Sequence, residues 1–498
     1  MDSRRVYLAV AACAVVAHIG ALWNRFAMDD LYIIVWNPLV QSPEGMWRAF
    51  AMPYWPPDLG GKLYRPLAVA SYALDRLIAG PGWFHAVNLV WHAGVAVAVA
   101  ALARRLAGNT AALVAGLIFA VHPVHVEAVA NVIGRAELMA ALGACLAVYA
   151  AVGKDRVGWS ALALAGGLLS KENAAVAPGL IAWAWLVGIS RPVPRRMAMY
   201  AGSWVLVIGI YLAIRWTVLQ PYARLHDLAP AFVGEGAIPI RLTALAALAD
   251  VARLLLFPLT LRADYSPAER TIVTSLFDGR LWLGLACLAG WAGLLVVAWR
   301  RGRRVEAFGL GWIAVAFLPV ANLLFPVGVL IGERTLYLPS AGLALAAGAW
   351  LSPLDPRRLR VIVAIVVLAG GVRSALRVPV WRDDFAVTLS MLDDSPRSYR
   401  GPARMGALYQ SRRQHERALE AFNMAARTFA RDPTLFVAAA DAAWATGRPG
   451  LADTLLMRVE ALCHRCTGYY RTQAHAARSR GDSAVADSLL LRAGAAPP

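Results

Sequence analysis

Long apolar runs, interrupted by short basic loops, dominate the first three quarters of the chain. Leu281–Trp299 and Phe308–Gly332 carry no charged residue, and neither does Leu106–Val126. About 20 apolar residues in a helix cross a bilayer core. Between the runs stand Arg4–Arg5, Arg104–Arg105, Lys154 with Arg156, Arg191 with Arg195 and Arg196, "RRGRR" at 300–304 and "PRRLR" at 356–360. Lys and Arg collect in cytoplasmic loops. All these clusters fall on one side if the spans run 6–23, 84–103, 109–121, 129–151, 157–170, 174–189, 197–217, 281–299, 306–326, 335–351 and 359–378. The pattern therefore predicts eleven spans, with the N-terminus inside and the C-terminus outside. The stretches 64–80 and 241–261 are also apolar but carry Asp75, Arg76, Asp250 and Arg253. An isolated charge at the bilayer centre costs at least ~2.5 kcal/mol. Both stretches are expected as interfacial or half-inserted helices on the outer side. The first span is read as an uncleaved anchor, because no clear small-residue cleavage site follows it.

After about residue 380 the pattern changes to a 34-residue step. Ala418, Ala452 and Ala486 keep it, as do Phe422, Leu456 and Leu490; Ala425, Val459 and Ala493; and Gly406, Ala440 and Ala474. This is the tetratricopeptide spacing, in which small residues let paired helices approach and stacked pairs bury a shared core. The expected organisation is a membrane domain over 1–379 and an extracytoplasmic repeat domain over 380–498, with repeats near 399–432, 433–466 and 467–498. The fold class expected is all-α, a polytopic bundle followed by an α-solenoid.

Composition agrees with the apolar pattern: 59% of residues are hydrophobic and 16% charged, which excludes an ordinary soluble domain. The net charge of +18 lies in the loops and the C-terminal tail, with no basic face interleaved with aromatics, so no nucleic-acid partner is expected. The Ala- and Arg-rich composition points to a bacterial inner membrane. Cys13, Cys145 and Cys287 fall in apolar spans and read as packing residues. Cys463 and Cys466 form a C-x-x-C between repeats, open either to a local disulfide or to two thiols.

The span parity gathers the polar motifs on the outer face: "MDDLY" at 28–32, "LYRPL" at 63–67, "HPVHVE" at 122–127, "SKEN" at 170–173, "ADYSPAER" at 263–270 and "GERTLYLP" at 332–339. Such a one-sided arrangement suits a catalytic or binding cavity. A transporter would place charges near mid-membrane in broken helices and often repeats one half in the other, which this chain does not. His122, His125 and Glu127 raise the question of a divalent metal. A zinc site wants a third strong ligand at recognisable spacing, and neither HExxH nor a matching Cys pair is present, so metal ranks below a polar network. Glu127, Arg135 and Glu137, spaced along one expected helix, would form that network. Asn88 and His92 read as polar groups hydrogen-bonded between spans.

"FHAVNLVWHA", "FAVHPVHVEAVANVIGRAELMAAL", "LSKEN" and "LLFPVGVLIGERTLYLPSAG", followed by the repeats, resemble the transmembrane and tetratricopeptide-repeat O-mannosyltransferases, a family of the GT-C class. The resemblance covers nearly the whole chain. It implies a polyprenyl-phosphate sugar as donor, Ser/Thr hydroxyls of exported proteins as acceptors, and a repeat domain that binds the acceptor protein. It also implies an acidic motif just after the first span, where Asp29 and Asp30 stand. Transfer from a lipid phosphate needs a carboxylate to take the acceptor proton and cations to hold the departing phosphate. Asp29 is put ahead of Asp30 as that base; the plainer role is helix capping of "LYIIVW". Lys171 and Arg334 are the expected phosphate binders, with Arg65, Glu172 and Glu333 completing the face; the plainer role of the cations is interfacial snorkelling. The alternatives are transfer to a lipid or envelope glycan, or a non-catalytic scaffold, which would not need Asp29.

Overall fold

The computed structural model describes residues 2–57, 61, 63–222, 228–265, 267–463, 469–470, 473–474, 477–478 and 481–495. Among them there are helices and no strand. The helices used below are α1 (Ser3–His18), α2 (Pro66–Ile78), α3 (Pro81–Val121), α4 (Arg135–Val148), α5 (Val157–Ser170), α6 (Ala177–Leu186), α7 (Pro194–Leu219) and α8 (Ala237–Leu256). They continue with α9 (Gly279–Arg300), α10 (Arg304–Phe317), α11 (Tyr337–Leu351) and α12 (Pro356–Arg377).

Among the described residues six segments are long and apolar enough to cross a membrane: Ser3–Trp23, Pro81–Val121, Val132–Gly153, Pro194–Leu219, Gly279–Arg300 and Pro356–Trp381. Apolar residues such as Val205, Leu206, Leu294, Val361 and Leu368 stand exposed on three of them. Water does not tolerate so large an apolar surface, and lipid requires one. The chain is an integral membrane protein.

The element Pro81–Val121 holds two of the expected spans. It folds back at Gly108, whose φ of 86° and ψ of −176° suit a residue without Cβ. The limbs then lie side by side: the His92 ring bonds the Ala120 carbonyl at 3.1 Å, and a Cβ on Gly116 would meet that of Ala100 at 2.9 Å. Elsewhere Gly309 of α10 and Gly342 of α11 meet at main-chain distance, where a Cβ on Gly309 would stand 2.4 Å from the Gly342 oxygen. Small residues at crossings bring membrane helices together in this way.

Two expected spans differ in detail. The stretch 129–151 is broken, because Asn131 is extended and Val132–Gly134 form a 3-10 turn before α4 begins. The stretch 306–326 is helical only to Phe317, followed by a 3-10 turn to Val320. In the first case the break frees main-chain N–H groups that a buried carboxylate uses, as described below. The charged apolar stretches form α2 and α8; their acids are paired with arginines, and Arg76 donates to the Gln41 side chain at 3.1 Å. Asp75 meets Arg135, and Asp250 takes two bonds from Arg270 at 2.6 and 2.8 Å.

The basic loops meet at one end of the bundle. Arg105 donates to the Gly153 carbonyl at 3.1 Å, Arg304 to that of Gly188 at 3.2 Å, and Arg196 pairs with Asp155 at 3.3 Å. At the other end the chain after α1 docks on the chain after α12: Asn24 Nδ2 donates to the Val378 carbonyl at 3.3 Å, and Arg25 N–H to that of Arg382 at 2.6 Å.

The C-terminal helices are α13 (Asp384–Asp394), α14 (Arg400–Ser411), α15 (His415–Thr428), α16 (Pro433–Ala445), α17 (Pro449–Cys463) and α18 (Ser483–Ala495). Gly406 lies under the Phe422 ring, 2.6 Å from where its Cβ would be. Of the residues at the 34-residue step, Ala418, Phe422, Ala425, Ala440, Ala452, Leu456, Val459, Ala474, Ala486 and Ala493 are buried, whereas Leu490 is exposed. Cys463 ends α17, and Cys466 lies outside the described residues. These helices sit on the polar end of the bundle. Ser398 Oγ donates to Asp264 Oδ2 at 2.5 Å, Arg400 meets Asp264 at 3.4 Å, and Arg431 pairs with Glu235 at 2.9 Å.

Candidate active site

The chain leaves α1 through a 3-10 turn, Ile19–Trp23, and then turns sharply. Asp30 is fully buried there and accepts the N–H groups of Ala27 at 3.1 Å, Val132 at 3.4 Å and Ile133 at 2.9 Å. The last two are groups released by the break ahead of α4. Burial raises the Asp30 carboxyl to about 7, helped by the charge of Asp29 and opposed by the three N–H groups. Asp30 thus ties the turn after α1 to the turn before α4. Its neighbour Asp29 points elsewhere, into open space.

That space is two cavities. The smaller, about 170 Å³, is lined by Asp29, Tyr54, Trp55, Arg65, Glu127, Asn131, Glu137, Lys171 and Arg334, among others. The larger, about 510 Å³, shares Asp29, Trp55, Glu127, Asn131 and Arg334 with it, and runs past Arg262, Asp264, Tyr265 and Glu333 to Arg400, Arg404, Asp432 and Leu435 of the C-terminal helices and their loops. Asp29 therefore stands where a polar pocket among the membrane helices meets a cleft walled by the C-terminal helices.

Each cation of the smaller cavity is held by an acid. Arg334 pairs with Glu127, and its main-chain N–H donates to Glu127 Oε2 at 2.8 Å. The Glu127 charge raises the Arg334 guanidinium above its ordinary range. Lys171 pairs with Glu137, which also accepts the Asn173 amide. Arg65 reaches Glu172 through two bonds of 3.1 and 2.6 Å and stacks 5.0 Å from the Tyr54 ring centre. Burial pushes the Glu172 carboxyl up, but the Arg65 charge and hydrogen bonds outweigh it and leave the group at about 2. Glu333 lies deep in the wall of the larger cavity, where it accepts the Arg262 N–H at 2.5 Å and the Tyr265 hydroxyl at 3.0 Å. Burial raises it to about 8; Arg377 draws it down and Glu127 adds to the rise.

Five expected site residues line neither cavity: Asp30 and Glu172, described above, and Arg135, His122 and His125. Arg135 is fully buried and bonds Asn88 Oδ1 at 2.9 Å, the Phe84 carbonyl at 2.9 Å and Ser71 at 3.2 Å, besides Asp75. The expected network of Glu127, Arg135 and Glu137 is corrected accordingly: the break at 131–134 turns Arg135 away from Glu127, and each of the three has its own partners. His122 bonds the Leu255 carbonyl at 2.9 Å and is held neutral by burial, down to about 4. His125 bonds Ser340 at 2.7 Å, among the rings of Phe119 and Tyr337 at 4.4 and 4.5 Å. Both histidines knit helices together. No three His, Cys, Asp or Glu side chains converge as a metal site among the described residues.

Several residues of the site carry no individual signal in the sequence. Arg262, Asp264 and Tyr265 line the larger cavity and belong to or adjoin "ADYSPAER", and Asn173, which donates to Glu137, belongs to "SKEN", so the motifs are visible but not the individual side chains. Tyr54, Trp55 and Asn131 carry no spacing signal; only the fold brings them in.

No family model matches the chain. Curated relatives do. Protein O-mannosyl-transferase TMTC3 of Homo sapiens is 26% identical over 452 residues, covering 81% of this chain and 49% of the relative. Protein O-mannosyl-transferase TMTC4 of Mus musculus is 27% identical over 442 residues, 74% of this chain and 59% of the relative. Protein O-mannosyl-transferase Tmtc3 of Drosophila melanogaster is 25% identical over 509 residues, 84% and 55%. The chain spans about half the length of the curated relatives it matches. The family resembled by the motifs is thus the one to which these relatives belong. Among solved structures, arabinofuranosyltransferase AftD from Mycobacteria aligns at a TM-score of 0.38 and 16% identity, over 77% of this chain and 28% of that one. The Archaeoglobus fulgidus oligosaccharyltransferase aligns at 0.41 and 14%, over 75% and 55%.

Proposed function

We propose that the chain is a membrane glycosyltransferase that moves a hexose, mannose being the first candidate, from a polyprenyl phosphate to a Ser/Thr hydroxyl of an exported polypeptide. The observation that carries this reading is the position of Asp29 at the junction of a three-cation pocket and a cleft walled by repeat helices. The names of the curated relatives support it. In the reaction, the acceptor oxygen bonds to the anomeric carbon while Asp29 takes its proton. The bond from that carbon to the phosphate oxygen breaks, and its electron pair leaves with the phosphate. Lys171, Arg334 and Arg65 neutralise the charge that collects there, and the acids that hold them keep them aimed before the substrate arrives. Attack from the cleft on a sugar whose phosphate lies in the pocket inverts the anomeric centre. The basic loops face the cytoplasm and the site opens to the periplasm, where exported chains pass.

The test is transfer by the purified chain from polyprenyl-phosphate mannose to Ser/Thr peptides, with and without a chelator, read by mass. Glycopeptide that Asp29→Asn abolishes is the expected result. Transfer to lipid extract but not to peptide moves the acceptor to an envelope glycan. No use of any polyprenyl-phosphate hexose overturns the reading.

A further inference from the structure

Met28, just before Asp29, has a φ of 58°. That left-handed conformation crowds any residue with a Cβ. Its N–H donates to Asp384 Oδ1 at 2.9 Å, across 356 residues of sequence. The same oxygen pairs with Arg404 of α14. Met28, Asp29 and Arg404 all line the larger cavity, and Arg404 Nε is buried with no hydrogen-bond partner among the described residues. The plainer role for Asp384, capping α13, is filled by Asp383, which accepts the Ala386 N–H at 2.8 Å. The Asp384 carboxylate is thus free of helix-end duty and spans two domains instead.

We infer that Asp384 is a positioning residue for the transfer reaction. It clamps the main chain at Met28 so that Asp29 faces the junction of the two cavities, and through Arg404 it joins that geometry to the first helix of the repeat array. The acceptor polypeptide enters the larger cavity between these groups. The repeats then do more than bind the acceptor, since their seating sets the catalytic carboxylate. This rests on the glycosyl-transfer reading above.

The experiment uses the full-length protein and steady-state rates with polyprenyl-phosphate mannose and a Ser/Thr peptide. Asp384→Ala lowers kcat about tenfold, the effect of one hydrogen bond to a charged group, with donor KM unchanged. Adding Met28→Gly to Asp384→Ala recovers most of that loss, because glycine adopts the left-handed conformation without a clamp. Normal kcat in Asp384→Ala, or a double variant no faster than Asp384→Ala alone, overturns the inference. Amide hydrogen exchange separates this from failure of the reaction reading: the Met28 amide exchanges faster in Asp384→Ala whether or not a donor is used. Unchanged exchange rejects the clamp by itself.

Discussion

Arg334 engages Glu127 twice, once through its guanidinium and once through its main-chain N–H at 2.8 Å, so a single carboxylate fixes both the arginine head and the turn that carries it. A side chain so held presents its remaining donors in a set direction. Replacing Arg334 with Lys keeps the charge and loses the planar fork, and replacing it with Ala loses both. Each charge-assisted hydrogen bond is worth roughly 1.5–3 kcal/mol, so Arg334→Ala should cost on the order of 10- to 100-fold in donor efficiency, with Arg334→Lys between it and wild type. The rate against donor concentration measures this, and Lys171→Ala should fall in the same range. An unchanged donor curve in both assigns these cations to anchoring.

The two neighbouring aspartates should separate by function. Asp29→Asn should leave the fold intact and lower transfer on the order of 100-fold or more, since it removes the proposed base. Asp30→Asn replaces an acceptor of three N–H groups with one that offers a single oxygen and an NH2 facing donors. It should lower thermal stability as well as rate. Equal stability and equal rates for both variants reject the division of labour.

Arg135 and Asp75 form a buried pair, 0% and 5% exposed. Removing one partner of such a pair costs about 3–5 kcal/mol, because the other is left as an uncompensated charge. Arg135→Met should therefore lower the melting temperature sharply, and Arg135→Met with Asp75→Leu should regain most of the loss. Activity per folded molecule in the double variant should stay near normal. A donor KM shift there instead returns Arg135 to the sugar pocket.

Glu333 gives a pH signature. Its folded pKa of about 8 lies above the ordinary 4.5, so the folded state holds a proton that the unfolded state releases between those values. The contribution is fully present below about 4.5 and is lost as pH rises toward 8. The thermal midpoint of the wild type should fall from pH 5 to pH 8 more steeply than that of Glu333→Gln, which has no proton to lose. Parallel profiles reject a protonated Glu333.

Sidedness is open to a direct test. Reporters at Gly302, in the basic end, and after Arg400, among the C-terminal helices, should fall on opposite sides of the membrane, with Gly302 cytoplasmic. Both on one side removes the shared outer cavity.

The apolar runs and the 34-residue step by themselves determined much of this protein: that it is helical, where its helices lie, that its polar motifs share a face, and that Ala418, Ala452 and Ala486 are buried. Period and composition are local properties, and a helix or a span follows from them without knowledge of distant residues. The motifs also placed Asp29, Glu127, Lys171 and Arg334 on one candidate face. Which acid holds which cation was not legible, because Glu127 chooses Arg334 across 207 residues and Glu137 chooses Lys171 across 34. Only tertiary structure decided that Asp30 is consumed by main-chain N–H groups while Asp29 stays open, since that depends on a break in a helix a hundred residues away. The same break turned Arg135 toward Asp75 and away from Glu127. A polar side chain inside an apolar bundle must find a partner, and the sequence states the need without stating which neighbour the folded chain will bring.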